Sequence, residues 1–285
     1  MSWNKKRVPL FAGKEYTSYL SDIGMTYYNN MGELFNEFPF LNNPDNKYNY
    51  LYNNNTDWQK EIYQNAFTTD NLFRIEGGDA IAKYDLSLGY LLEDGLLKET
   101  SFQRYHTQLN TNILVSKQVE LIASVGLSYI NGEYQEQGMV NQTNPILTAY
   151  AKSPLLSPWK KDTQGQTLNE YADFYYGISN NMNFAVSNPL AVINSVDVTN
   201  RQYDVNALAG ITYKVLQNLS LSGKVGLYYN YNNEKLFVPG KTDKTIIPLF
   251  TPFGEAENTV KNGVGKVVNF FYTINGQYHT VLDNK

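Results

Sequence analysis

Trp159, Tyr171, Phe174, Tyr175 and Tyr176 fall within one short stretch of the chain, and flat rings of this kind stack on sugar rings or grip peptide side chains. The same rings can instead pack that stretch onto the rest of the protein, and spacing alone leaves both readings open. Other chemistry is sparse. Among 27 Asp and Glu, no pair is singled out as the two carboxylates that glycoside hydrolysis requires. Asn262-Gly263-Val264-Gly265-Lys266 holds a Gly-Lys pair. Val267, however, stands where a phosphate-binding loop needs Ser or Thr for magnesium, and no glycine precedes Gly265 at the required spacing. It reads as a loop entering a strand.

Metal and thiol chemistry have little to draw on. The Asp and Asn of Leu41 to Asn55, LNNPDNKYNYLYNNN, could ligate calcium, but without the alternating acidic order of a calcium loop they read as a solvated connection. There is no Cys and only two isolated His, which excludes a disulfide framework, a thiolate site and a His-rich site. Asn54-Asn55-Thr56, Asn141-Gln142-Thr143 and Asn218-Leu219-Ser220 match the glycosylation acceptor pattern, which is frequent in Asn-rich chains. The expectation is a protein with no catalytic residues, no cofactor and no metal.

The elements that position those aromatics are legible in composition and period. Aromatics make up 14% of the chain, with 24 Tyr, and charged residues only 18%. The mean hydropathy of -0.44 therefore comes largely from Asn, Gln, Ser, Thr and Tyr. This favours β structure with an amphipathic surface. A formal net charge of -4 and no clustered basic face argue against nucleic acid. The first twenty residues are basic without an apolar core, and no run of eighteen apolar residues occurs, so neither a signal peptide nor a membrane-spanning helix is expected. Strands that cross a bilayer escape such a scan.

Residues 119 to 129, VELIASVGLSY, place Val119, Leu121, Ala123, Val125, Leu127 and Tyr129 on one face, opposite Glu120, Ser124, Gly126 and Ser128. A related stretch, LSLSGKVGLYY at 219 to 229, does the same with Leu219, Leu221, Val225, Leu227 and Tyr229, continuing to Tyr231. Period two is a strand, and an apolar stripe ending in tyrosine fits a bilayer crossing or the core face of a sandwich.

The connections favour the first. Asn71 to Glu76 turns at Gly77-Gly78-Asp79 into Ile81 to Leu91, which passes through Glu93 to Thr100 into Phe102 to Leu114. A tight turn at Ser116 to Gln118 leads into a strand ending near Tyr134. After a long segment from Gln135 to about Val196 come Val198 to Tyr213, a tight turn near Leu216 to Asn218, and the second repeat strand. A loop from about Pro239 to Asn262 then precedes Val264 to Val281. Short and long connections alternate, as in an up-and-down meander with all tight turns at one rim. Residues 1 to 70 differ in texture: Glu15 to Phe35 has the apolar spacing of one or two short helices. The expected division is an N-terminal segment, 1 to 70, and a partial all-β transmembrane barrel of about seven antiparallel strands, 71 to 285.

Thr56-Asp57-Trp58, the Gly77-Gly78 turn, Leu86-Ser87-Leu88-Gly89-Tyr90 followed by Asp94-Gly95, and Phe102-Gln103-Arg104-Tyr105 together resemble the SusC/RagA family of TonB-dependent outer-membrane transporters of Bacteroidetes. The resemblance runs from about residue 40 onward and takes in Asn144-Pro145 and Asn188-Pro189. It implies a plugged barrel of 22 strands in the bacterial outer membrane, importing glycan or peptide fragments with a SusD-like lipoprotein and energised by TonB. Against the family pattern, the expectation from these residues is no signal peptide, no plug domain with its TonB-contacting box, and no final strand ending in an aromatic. The expectation is a fragment, a split-gene product or a subunit of a composite barrel, whose remaining strands come from missing sequence or another chain. The turn sides place the helices and Thr56-Asp57-Trp58 on the extracellular rim. The ligand-contacting candidates are Trp159, Tyr171, Tyr175 and Tyr176. The competing reading is a soluble or surface-attached glycan-binding β domain.

Overall fold

A computed structural model describes residues 8–37, 39, 42–136, 144–172, 187–239, 250–251, 254–255 and 258–281. In chain order its elements are α1 Gly13–Tyr27, α2 Met31–Glu37, α3 Asn49–Tyr52, α4 Trp58–Ile62, β1 Thr68–Gly78, β2 Ala82–Asp94, β3 Ser101–Leu114, β4 Val119–Tyr134, α5 Pro145–Ala151, β5 Trp159–Lys161, β6 Thr167–Tyr171, α6 Pro189–Ser195, β7 Asp197–Leu216, β8 Leu219–Pro239, β9 Phe250–Thr251, β10 Gly254–Glu255 and β11 Asn258–Tyr278.

Seven strands form one antiparallel sheet in the order β1-β2-β3-β4-β7-β8-β11. Each long strand pairs with the next in sequence, so the sheet is the expected meander, open at β1 and β11 among the described residues. Several details differ from the sequence reading. The last strand begins at Asn258 rather than Val264, so Gly263 and Gly265 sit inside the ladder opposite Glu234 and Asn232 instead of in a loop. The segment after Tyr134, read as a loop, contains two helices and a hairpin.

The tight turns are built locally. Between β1 and β2, Gly78 adopts a φ of 135°, a conformation that side chains disfavour. The Asp79 carboxylate then accepts the backbone N–H groups of Ile81 at 2.7 Å and Ala82 at 2.8 Å. Those donors, Ala82 first, hold its carboxyl below the usual range.

The two faces of the sheet have opposite chemistry. One carries Leu86, Leu88, Leu109, Leu121, Val125, Leu127, Ile211 and Val225, and among the described residues no second layer covers it: Leu127 is 45% exposed and Val225 59%. A sandwich requires such a layer. On this face Tyr90, Tyr105, Tyr129, Tyr203 and Tyr231 are directly opposite one another across five strands. Their ring centroids are separated by 4.8, 6.3, 4.9 and 6.2 Å. On β7 the band runs from Tyr203 to Tyr213. At about 3.3 Å per residue and a tilt near 40°, that span is roughly 25 Å tall, the height of the apolar band of an outer-membrane barrel.

The other face is polar. Ser124 donates to the Asn110 amide oxygen at 2.8 Å, and the Gln108 amide donates to Asn110 at 3.0 Å and to Ser124 at 2.8 Å. Arg74 grips Asp85 through two bonds of 3.0 Å and meets Glu76 at 2.7 Å. Around Asp204 converge Asn230 at 2.7 Å, Gln202 at 2.8 Å and the Tyr228 hydroxyl at 3.3 Å.

The buried core lies not under the sheet but at its long-connection rim. Trp58, Ile62, Leu97, Ala149 and Ile193 form one cluster, drawn from α4, the β2–β3 connection, α5 and α6. A second joins Val192 and Val196 to Val238 at the end of β8. Burial of these side chains, about 1.5–3 kcal/mol each, is what docks the long connections onto the strand ends.

Candidate functional site

The rim is assembled from sequence-distant pieces by backbone-directed hydrogen bonds. Asn144 and Asn188 each occupy the N-cap of a seven-residue helix whose first residue is proline, and each side-chain oxygen accepts two backbone N–H groups of the first turn. Proline fixes the entry dihedral where its missing N–H costs nothing, and Asn satisfies donors the helix cannot. The two Asn-Pro pairs are thus start signals for α5 and α6. Asp57 caps α4 in the same way, accepting Lys60 N–H at 3.1 Å. Thr56 bonds the carbonyls of Pro154 and Leu156 through its N–H at 2.8 Å and its hydroxyl at 2.6 Å.

On this platform stands the β5–β6 hairpin. Trp159 pairs with Tyr171 in the ladder, and their rings stack at 5.2 Å with 18° between planes. Lys160 forms an ion pair with Glu170 at 2.9 Å. The turn is closed by Asp162, whose carboxylate accepts the N–H groups of Gln164 and Gln166, with Gly165 at a φ of 79°. Asn188 donates to the Pro158 carbonyl at 2.7 Å, which also receives the Ala172 N–H at 2.9 Å, anchoring the hairpin base. Lys161 reaches back to the N-terminal segment, bonding Asn54 at 2.5 Å and the Tyr50 carbonyl at 3.2 Å. Burial lowers its pKa. A cavity of about 20 Å³ lies beneath, lined by Leu51, Leu156, Trp159, Lys161 and Ala172. It has room for about one water, not a nutrient.

Of the aromatics singled out in the sequence, the structure brings Trp159 and Tyr171 together, half-buried and stacked on each other. Phe174, Tyr175 and Tyr176 lie outside the described residues. Sequence reasoning missed the partners that hold the pair, Asn188, Asn54 and Lys161. The one available signal was Asn-Pro, read as loop composition rather than as a helix start.

Two further groups on the rim are shaped by burial. Lys152, at the end of α5, has its pKa lowered to about 8 by desolvation. Tyr63 is pushed up to about 12 by burial and by its hydrogen bond with Tyr150. At the opposite rim, a groove of about 590 Å³ beside the β1–β2 turn is lined by Arg74, Glu76, Tyr84, Asp85, Asn110 and Asn112. Among the described residues no cluster of His, Asp or Glu could hold a metal ion. The arrangement as a whole presents an apolar wall, a polar wall and an aromatic hairpin at one end. It can separate lipid from an aqueous passage.

No family model matches the chain. It is 39% identical over 56 residues to the TonB-dependent receptor SusC of Bacteroides thetaiotaomicron, covering 20% of this chain and 6% of that protein. It is 27% identical over 127 residues to the TonB-dependent receptor P3 of Formosa agariphila, covering 42% of this chain and 12% of that one. In fold it is similar to the RagAB peptide transporter, with a TM-score of 0.69 at 16% identity over 97% of this chain and 31% of the solved one. The RagAB peptide importer in its closed-closed state superposes with a TM-score of 0.59 over 81% of this chain. The chain thus spans a minor part of the length of each relative. Sequence and fold together make this open meander, with its rim of short helices, similar to part of the barrel of a SusC/RagA-type TonB-dependent transporter.

Proposed function

We propose that the chain forms part of the barrel wall of a TonB-dependent outer-membrane transporter that imports glycan or peptide nutrients without chemistry on them. The single observation behind this reading is a sheet with one uncovered apolar face, bounded by a row of five tyrosines, and one polar face cross-linked by Asn, Gln and Asp. In this reading the apolar face meets lipid, the polar face meets the lumen and the long-connection rim is extracellular. The exposed backbone edges of β1 and β11 cannot stay unpaired in hydrocarbon, so the remaining strands come from further sequence or another chain. A plug domain would link the barrel to TonB, and a SusD-like lipoprotein would present cargo at the rim. Trp159 and Tyr171, with Tyr175 and Tyr176, are the proposed contacts for that cargo.

Outer-membrane fractionation with heat-modifiable migration in detergent gels tests the barrel. A band that does not shift on heating, in a protein released by salt wash, would sink it. Uptake of labelled oligosaccharide and of labelled peptide by cells carrying Trp159→Ala and Tyr175→Ala tests the contacts. Loss of one uptake and not the other names the substrate class, and unchanged uptake of both removes these residues from the path.

A further inference from the structure

Asp204 stands on the polar face beside the tyrosine row, inside a ring of neutral donors. The Asn230 amide at 2.7 Å and the Tyr228 hydroxyl at 3.3 Å donate to one carboxylate oxygen, and the Gln202 amide at 2.8 Å donates to the other. An amide whose nitrogen points inward turns its oxygen away, so Gln202 and Asn230 present acceptors to the open side of the sheet. Neither oxygen accepts a hydrogen bond from another described residue. Asn232, opposite Gln202, repeats the pattern: its amide donates to Glu234 at 3.1 Å and its oxygen has no partner. Gln202, Asp204, Tyr228, Asn230 and Asn232 are all half-buried, with one side open.

No cation neighbours Asp204. Next to it on this face of β7 are Gln202 and Asn206, and β8 adds only Tyr228, Asn230 and Asn232. From β4 come Gly126, Ser128 and Ile130. Arg104 and His106 of β3 lie beyond Ile130 and Ser128, about 10 Å off across two strand spacings. The His106 ring leans the other way, over Gly89. Lys224 is four residues below Tyr228, and Lys261 stands by Glu234, opposite Leu236. The Asp204 charge is therefore hydrogen-bonded but not neutralised.

We infer that this patch binds the guanidinium or ammonium group of a basic side chain on an imported peptide. The inference rests on the transport reading above and narrows its cargo. On their open side the carboxylate and the amide oxygens are acceptors only, which matches a group that carries donors only. A guanidinium or ammonium is such a group, and its bond to Asp204 is charge-assisted. The Tyr228 ring beside the carboxylate adds a face over which a cation can lie. Sugar hydroxyls both donate and accept, but the donors around Asp204 are already committed to it. Calcium takes about six to eight oxygen ligands, whereas N–H and O–H groups face the Asp204 oxygens here. The same two strands carry Val198, Leu236 and Val238, which hold α6 at the rim, so the patch lies on the lumenal path leading down from the hairpin.

The test uses the full-length transporter in mild detergent and titrates it with two fluorescent alanine-based peptides. One carries a single arginine; the other carries citrulline in its place, which keeps the shape and loses the charge. Maltohexaose serves as competitor. The expected result is a preference of about tenfold or more for the arginine peptide, lost in D204N, kept in E234Q, and insensitive to an equal concentration of maltohexaose. Equal binding of the two peptides, a preference that survives in D204N, or displacement by maltohexaose overturns the proposal. Heat-modifiable migration is read on every protein alongside. A D204N variant whose band shifts at a lower temperature while its peptide preference stays intact assigns the carboxylate to the remaining sequence of the transporter and overturns the cargo role. A shifted band with no peptide preference defeats this site alone, whereas no band shift in the unsubstituted protein defeats the barrel reading and this site with it.

Discussion

The indole Nε1–H of Trp58 donates to the Ser153 carbonyl at 2.9 Å, joining residues 95 positions apart at the centre of the rim. Trp58 is 2% exposed and packs in the cluster with Ile62, Leu97, Ala149 and Ile193. Trp58→Phe removes the donor while the Ser153 carbonyl keeps the Leu156 N–H at 3.2 Å, for a cost of about 0.5–1.5 kcal/mol. Trp58→Ala adds a cavity and should cost about 3–5 kcal/mol. The loss should appear as faster hydrogen exchange in 49–62 and 144–172 together, with β2 to β4 unchanged. Acceleration confined to 49–62 would mean that the two segments are not coupled through this residue.

The two Asn-Pro helix starts make an internal comparison. Asn144→Ala removes a cap and should cost about 1 kcal/mol. Asn188→Ala removes a cap and also the bond to Pro158 at the hairpin base, so it should cost more and loosen the hairpin. Limited proteolysis near residues 162–166 distinguishes them: cleavage should accelerate in the Asn188 variant and stay near the unsubstituted rate in the Asn144 variant.

Gly89 on β2 faces the imidazole of His106 on β3 so closely that a Cβ would collide with the ring. Gly89→Ala should therefore overpack the polar face and destabilise the barrel by about 1–3 kcal/mol, lowering the temperature of the gel-mobility shift. The double variant Gly89→Ala with His106→Ser should recover most of that loss. If it does not, backbone strain rather than the ring is responsible.

Lys152 sets a pH dependence in the alkaline range. Its folded pKa of about 8 lies below the ordinary lysine value of 10.5, because burial disfavours the ammonium. Below pH 8 both folded and unfolded chains are protonated and the desolvation cost is paid in full. Between about 8 and 10.5 the unfolded chain binds more protons, so rim stability should rise with pH by up to about 3 kcal/mol. Lys152→Met should be more stable at pH 7 and flat across that window, by hydrogen exchange of α5. A rim in the unsubstituted protein that weakens from pH 8 to 10 would contradict this.

Much of the sheet was legible before any coordinates. Period-two stripes such as Val119 to Tyr129, and the alternation of tight turns with long connections, follow from backbone geometry, which each segment expresses by itself. Helices α1 and α2 announce themselves by apolar spacing, and the alternation of turns puts Thr56-Asp57-Trp58 with the long connections, where Trp58 packs against Leu97, Ala149 and Ile193. The start of β11 was misplaced because Gly263 and Gly265 look like loop residues until β8 supplies a ladder for them.

What one strand says about itself does not include which residues of its neighbours stand beside it. The register aligning Tyr90, Tyr105, Tyr129, Tyr203 and Tyr231, and gathering Gln202, Tyr228 and Asn230 about Asp204, exists only after four separate pairings are set. The rim depends still more on distance in sequence, since Trp58 has no bonding partner until Ser153 arrives and Trp159 has no stacking partner until Asn188 closes the hairpin base. The amino-acid sequence by itself determined a tyrosine-rich antiparallel meander with one apolar face, because alternation is a property of each strand alone. Tertiary structure alone decided what those strands and loops do together, because contacts across chain separations such as 95 residues depend on packing rather than on local pattern.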